Sequence, residues 1–90
     1  MITETAETIA LQALAFLIKD EKLLANFLGN SGLTPQDLKT RFKEPELLGA
    51  VLDALLADDE VLLEFCNHAS LSPETVIKAR RALPGDISYQ

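Results

Sequence analysis

The chain has 90 residues, 48% of them hydrophobic, and a formal net charge of −6. This length is typical of one small domain, and the hydrophobic fraction argues against intrinsic disorder. A single cysteine excludes an intramolecular disulfide. The acidic balance disfavours non-specific binding to nucleic acid or to an anionic membrane surface.

The first predicted helix covers residues 3–18, with Thr3 or Thr5 as its expected cap. Its apolar run follows glutamates rather than basic residues and is too short to span a bilayer. It therefore indicates a buried helix in a cytoplasmic protein, not a signal peptide or a membrane anchor. From residue 10 onward the helix is apolar almost all round, which is typical of a central helix or of one covered by a second subunit.

Two shorter helices are predicted next. Asp20 begins the second helix, and the stretch Gly-Asn-Ser-Gly at residues 29–32 ends it. Thr34 is expected to cap the third helix, with a proline at its first position and Asp37 completing an acidic capping box. That third helix is predicted to run to about Phe42.

The same order of signals follows in the second half. A nearly all-apolar fourth helix is predicted over residues 45–57. The fifth helix begins at the acidic residues 58–60 and runs to about His68. Ser72, followed by proline, begins the sixth helix, which is predicted to end near Leu83 before a Pro-Gly pair.

The two halves are copies of one another, because positions i and i + 38 match along the chain; this shift is called the repeat offset below. Seven pairs of positions are identical at the repeat offset: Leu14/Leu52, Leu17/Leu55, Asp20/Asp58, Leu24/Leu62, Phe27/Phe65, Leu33/Leu71 and Pro35/Pro73. A shift of i + 39 also aligns residues 20–21 with residues 59–60, so the second and fifth helices could be slipped by one position. No run alternates as a strand does.

The expected fold is therefore all-α, a compact six-helix bundle built from two three-helix repeats with approximate two-fold symmetry. The repeats cover about residues 6–43 and 44–83 within a single domain over residues 1–85. Residues 86–90 form a short tail. The first and fourth helices, the most apolar pair, are expected to pack at the centre.

The recurring D-E-x-L-L-x-x-F and L-[T/S]-P-x-x-[L/V] blocks carry a resemblance to a known family. With them the chain resembles an uncharacterised alphaproteobacterial family of small helical proteins, a domain of unknown function, over residues 4–84. The resemblance implies a bacterial cytoplasmic helical protein and carries over no catalytic residue.

The residues that could perform chemistry have structural explanations. Cys66 and His68 lie two apart on a predicted helix and point about 200° apart, so they cannot converge on one atom. The chain has no other cysteine or histidine to complete a four-ligand metal site. The acidic run at residues 58–60 repeats the start of the second helix, where capping explains it. We therefore expect no enzyme, no metal and no cofactor.

Basic residues concentrate in the third and sixth helices or directly after them. A possible basic patch comprises Lys39, Arg41, Lys43, Lys78, Arg80 and Arg81. The alternative explanation is complementarity to the helix dipoles, because these residues fall late in their helices.

Residues 69–80 resemble the turn and second helix of a helix-turn-helix DNA reader. Glu74 in the first turn, the missing turn glycine and the acidic domain weigh against that function. The leading hypothesis is a small non-enzymatic helical protein-interaction module. The alternative is helix-turn-helix-like nucleic-acid binding through the last helix, residues 72–83.

The apolar circumference of the first helix also predicts an interface. Ile9, Leu11 and Phe16 lie off the positions that this helix shares with the fourth. We expect these three residues to form an interaction surface, for either a homodimer or an unidentified protein partner.

Overall fold

Six helices follow one another along residues 1–83, the residues that the computed structural model describes. They are α1 (Thr3–Ile18), α2 (Glu21–Ser31), α3 (Pro35–Thr40), α4 (Pro45–Leu56), α5 (Asp59–Ala69) and α6 (Pro73–Arg81). No strand occurs in this part of the chain, so the all-α, six-helix prediction is confirmed. The predicted stop at residues 84–85 and the predicted tail at residues 86–90 lie outside the described residues.

Two aspartates begin matching helices. The Oδ1 atom of Asp20 accepts hydrogen bonds from the N–H groups of Lys22 and Leu23 at 2.9 and 3.2 Å. Asp58 does the same for the second and third residues of α5, at 3.1 and 3.4 Å. These bonds satisfy N–H groups that have no partner inside the helix. The acidic starts of α2 and α5 are therefore caps.

The helices α3 and α6 begin with a hydroxyl cap followed by proline. Thr34 Oγ1 accepts from the N–H of Asp37 at 3.1 Å, and Asp37 Oδ2 accepts from the N–H of Thr34 at 3.0 Å. This capping box was predicted, and the bond from the Thr34 N–H lowers the pKa of Asp37. At α6, Ser72 Oγ accepts from the N–H of Thr75 at 3.2 Å.

One predicted cap was wrong, and two helices end two residues before their approximate predicted ends. The cap position of α1 is Ile2, without a side-chain hydrogen bond, because Thr3 and Thr5 both lie inside the first turn. The third helix ends at Thr40 instead of Phe42, since the next residue leaves the helical region at φ −119° and ψ 16°. The sixth helix ends at Arg81 instead of Leu83.

The core is centred on α1 and α4, which form the most extensively packed helix pair. Ala6, Ala10 and Ala13 of α1 are fully buried, and so are the larger Leu52 and Leu55 of α4. Small side chains on one helix leave room for large ones on the other. The radius of gyration, 11.9 Å, is that of a compact chain of this length, about 12 Å.

The helix bounds follow the repeat offset at several points. At this offset, both ends of α2 coincide with those of α5, the end of α1 coincides with that of α4, and α3 and α6 share their first position. However, α3 and α6, the third helices of the two halves, differ in their packing. The helix α6 packs against α1, α4 and α5, whereas α3 belongs to none of the packed pairs. Superposition of the halves and two-fold symmetry stay predictions.

The two phenylalanines that anchor α2 and α5 should dominate stability. Phe27 is 3% exposed and Phe65 is fully buried. We expect Phe27→Ala and Phe65→Ala each to lower the free energy of unfolding by about 3–5 kcal/mol, because truncation leaves a cavity. Thermal and chemical denaturation measure the change. Leu63→Ala, at an exposed position of α5, is the matched control and should stay within about 0.5 kcal/mol. Equal melts for Phe65→Ala and the control would contradict the assignment.

The C-cap residues of α2 and α5 predict opposite changes in stability when glycine and serine are exchanged. Gly32 and Ser70 both adopt a left-handed conformation, at φ 75° and 57°. This conformation costs a residue with a Cβ atom about 1–2 kcal/mol. Ser70→Gly should therefore raise the free energy of unfolding by about 1 kcal/mol and Gly32→Ser should lower it by a similar amount. A Cβ atom at Gly32 would have no neighbour within 4 Å, so the expected loss of stability comes from the backbone conformation alone. Urea denaturation checks both variants, and shifts of the same sign would disprove the explanation.

Candidate binding groove between α2 and α4

An open groove of about 580 Å³, the α2/α4 groove, lies between α2, α4 and the beginning of α5. It is lined by Leu17, Leu23, Asn26, Phe27, Asn30, Ser31, Ala50, Asp53, Ala54, Ala57, Asp58 and Val61. The helices α2 and α4 pack against each other over only a short stretch, which leaves the space open.

The floor of the α2/α4 groove is apolar and its rim is polar. Leu17 and Phe27 are buried at the floor, and the other leucine, the valine and two of the alanines are half-buried. Exposed amide and hydroxyl groups of α2 stand on the rim, together with the exposed carboxylates of Asp53 and Asp58. Within residues 1–83, no lysine or arginine lines this groove. An apolar floor with a few polar groups around it is typical of binding sites.

One rim carboxylate joins α4 to α6. The Nε atom of Arg80 donates to Oδ1 of Asp53 at 2.6 Å, and Nη1 donates to the carbonyl of Leu83 at 3.3 Å. The Arg80 side chain is 9% exposed, whereas that of Asp53 is 58% exposed. Arg80 is the one buried charged residue within residues 1–83. A buried arginine requires such partners, because an unpaired charge in the core is strongly destabilising.

The structure places the predicted basic patch in separate surroundings. Arg80 is buried, while Lys39, Lys43, Lys78 and Arg81 are exposed, and α3 and α6 are not a packed pair.

The remaining member of the patch, Arg41, is paired within its own loop. Its guanidinium group contacts Glu44 at 3.0 Å and Asp37 at 3.7 Å. The hydrogen bond with Glu44 raises the pKa of Arg41.

The three residues of the predicted interaction surface do not share one surface. Ile9 is 6% exposed and belongs to the core, whereas Leu11 is 37% exposed. Phe16 is half-buried, and its ring centroid lies 5.6 Å from that of Phe65 and 5.7 Å from that of His68. The interplanar angle with Phe65 is 63°, an edge-to-face arrangement.

Phe16 instead lines a second, smaller groove of about 370 Å³ between α1 and α5, the α1/α5 groove. Its lining residues are Gln12, Ala15, Phe16, Lys19, Phe65, His68 and Ala69. At the repeat offset, each of these positions is paired with one that lines the α2/α4 groove. Sequence reasoning missed both grooves, and the one signal for them was the pairing of Phe16 with Ala54 at this offset.

Cys66 and His68, the two residues considered as candidates for chemistry in the sequence, lie in different environments. Cys66 is buried, and desolvation raises the pKa of its thiol, while His68 is exposed beside Phe16. Within residues 1–83, no three or more His, Cys, Asp and Glu side chains are grouped so that they could hold a metal ion. None of the six described helices is long and apolar enough to cross a membrane.

Comparison with known proteins gives a family without an assigned activity. Residues 3–86 match the family described as "Protein of unknown function (DUF3572)". No curated protein and no solved structure matches the chain. Because that description attaches no role to any residue, the function of the groove has to be argued from its geometry.

The buried thiol of Cys66 should be almost unreactive in the native protein. Its side chain is excluded from water, and the raised pKa keeps it a neutral thiol at a pH where the unfolded chain already forms thiolate. Reaction with Ellman's reagent at pH 8 should be slow in buffer and fast in guanidinium chloride. Because folding raises the pKa of the thiol, its contribution to the stability of the fold is fully present at pH values below the pKa in the unfolded chain. This contribution is lost as pH rises through the pKa in the folded protein. Complete labelling of the native protein within seconds would contradict this prediction.

Proposed function

The chain belongs to this family of unknown function, and we propose that it is a small non-enzymatic helical module that binds a protein partner in the α2/α4 groove. The observation that carries the proposal is the open space between α2 and α4, with a buried apolar floor and an exposed polar rim. Leucine and phenylalanine side chains at the floor provide apolar area that a partner can cover.

The dimensions of the groove suit a segment of protein chain. The lining residues of α2 run from Leu23 to Ser31 and span about 12 Å along the helix axis, which is between two and three turns. A helix that lies in a groove presents an apolar side chain about once per turn, and its polar face stays in water. The exposed amides of Asn26 and Asn30, one turn apart on α2, can donate to and accept from the polar groups of such a segment.

A catalytic role has less support, because the carboxylates of the groove already have structural partners. Asp53 accepts a hydrogen bond from Arg80, and Asp58 caps α5. Neither cysteine nor histidine lines the α2/α4 groove. We therefore propose that the groove binds without performing a reaction, and that the protein acts in the bacterial cytoplasm, as its family resemblance implied.

Nucleic-acid binding through α6 also has less support. A reader helix would direct its basic side chains to phosphates, but Arg80 turns into the core and pairs with Asp53. The exposed Glu74 in the first turn of α6 would face the same phosphates.

A photo-crosslinking residue at Asn26 tests the proposal in living cells. Asn26 is exposed and lines the α2/α4 groove, whereas Asn67 is an exposed asparagine of α5 that lines neither groove and serves as the matched control. We expect a discrete cross-linked protein at position 26 and none at position 67.

Three results would contradict the proposal: no product at position 26, equal products at both positions, or a product made of nucleic acid. In the third case, a gel shift that is lost at high salt and in Lys78→Ala and Arg81→Ala would assign the binding to α6.

A further inference from the structure

The α1/α5 groove and the α2/α4 groove differ most at one pair of positions. In the α1/α5 groove, Phe16 lies edge-on against Phe65, with 5.6 Å between the ring centroids. In the α2/α4 groove, the residues at the corresponding positions are Ala54 and Phe27. At these positions the α1/α5 groove is therefore lined by two aromatic rings. The α2/α4 groove is lined by one aromatic ring, that of Phe27, and by the methyl group of Ala54.

The volumes agree with this difference. The groove that contains Phe16 measures about 370 Å³, and the groove that contains Ala54 measures about 580 Å³. Ala54 is half-buried and Phe27 is 3% exposed, so the additional space lies over the apolar floor. An aromatic ring gains both apolar burial and an edge-to-face contact in such a place.

The charges on the two rims also differ. At three of the exchanged rim positions, the α1/α5 groove carries Ala15, Lys19 and His68, whereas the α2/α4 groove carries Asp53, Ala57 and Asn30. None of the described lining residues of the α2/α4 groove is basic, and its two carboxylates are those of Asp58 and of Asp53, which is paired with Arg80. A partner that places basic side chains there is favoured by charge complementarity, and an acidic partner is disfavoured.

We propose that the occupant of the α2/α4 groove is a segment of a partner protein with an aromatic side chain flanked by lysine or arginine. This proposal rests on the protein-binding function proposed above and adds the chemistry of the partner. The aromatic ring takes the place over Phe27 that Phe16 takes over Phe65. The basic side chains face the exposed carboxylate of Asp58, since that of Asp53 is already paired with Arg80.

The exchange Ala54→Phe imitates the lining of the smaller α1/α5 groove and provides the main test. The probe is a helical alanine-based peptide with one phenylalanine and arginines three and four residues to either side of it. Isothermal titration should detect binding to the wild-type protein, and Ala54→Phe should weaken it at least about tenfold, since buried aromatic anchors dominate such contacts. Phe16→Ala, which changes only the other groove, is the matched control and should bind as the wild type does.

Two further variants separate the aromatic contribution from the charge. A probe with alanine in place of phenylalanine should not bind. Asp58→Asn keeps an N-cap of similar quality and removes one charge, so it should weaken the arginine-containing probe about threefold and flatten the salt dependence. Should Ala54→Phe unfold the protein, changes in the NMR signals of the Ala54 methyl group and the Phe27 ring of the wild-type protein locate the probe instead.

The outcomes distinguish this inference from the proposed function. Equal binding by wild type and Ala54→Phe, or by the probe without phenylalanine, overturns the aromatic assignment while the cross-link at Asn26 still supports a binding module. Absence of that cross-link overturns the proposed function itself. Sedimentation equilibrium that shows a dimer lost in Ala54→Phe would assign the groove to a second copy, whose Phe42 is exposed between Arg41 and Lys43, and would also overturn the proposal.

Discussion

The packing of α1 against α4 is the interaction on which the other helices depend. The buried residues of α1, at positions 6, 9, 10, 13, 14 and 17, form one broad face, and those of α4 extend over a wider arc. The other helix of the pair does not cover either set of residues alone. The helices α2, α5 and α6 provide the additional apolar surface, and each of them packs against α1 and α4. Five of the six described helices have 12 residues or fewer, a length at which an isolated helix is marginal in water, and burial at this centre fixes them.

The helices α3 and α6, the third helix of each half, begin with the same sequence signal but have different structural roles. Both α3 and α6 begin with a hydroxyl cap and proline, but α3 has six residues and one buried side chain, Leu38. The helix α6 buries Val76, Ala79 and Arg80 and packs against three other helices. Local hydrogen bonds stabilise the beginning of α3 and ion pairs stabilise its end. Such a segment has few long-range contacts and therefore opens more easily than the centre.

The helix starts could be predicted from the sequence because capping is local. Asp20, Thr34, Asp58 and Ser72 each bond to an N–H group two or three residues away, and three to four residues suffice to recognise that pattern. The position of Arg80 could not be predicted in this way, because its partner Asp53 lies 27 residues away on another helix. A basic residue late in a helix fits an exposed patch, a helix dipole and a buried ion pair equally well.

The candidate site also depends on long-range relations, which explains why sequence patterns did not reveal it. The repeat offset identified Phe27 and Phe65 as equivalent anchors, but identity at one position says nothing about the space beside it. That space depends on Phe16 in one case and Ala54 in the other, and both residues are compatible with an apolar helix.

Stability alone would favour a large apolar side chain at position 54, because it would cover the floor around Phe27. Alanine leaves that floor accessible, so the open space beside Phe27 carries a cost in stability. In the function proposed above, the aromatic ring of a partner covers this floor and offsets that cost.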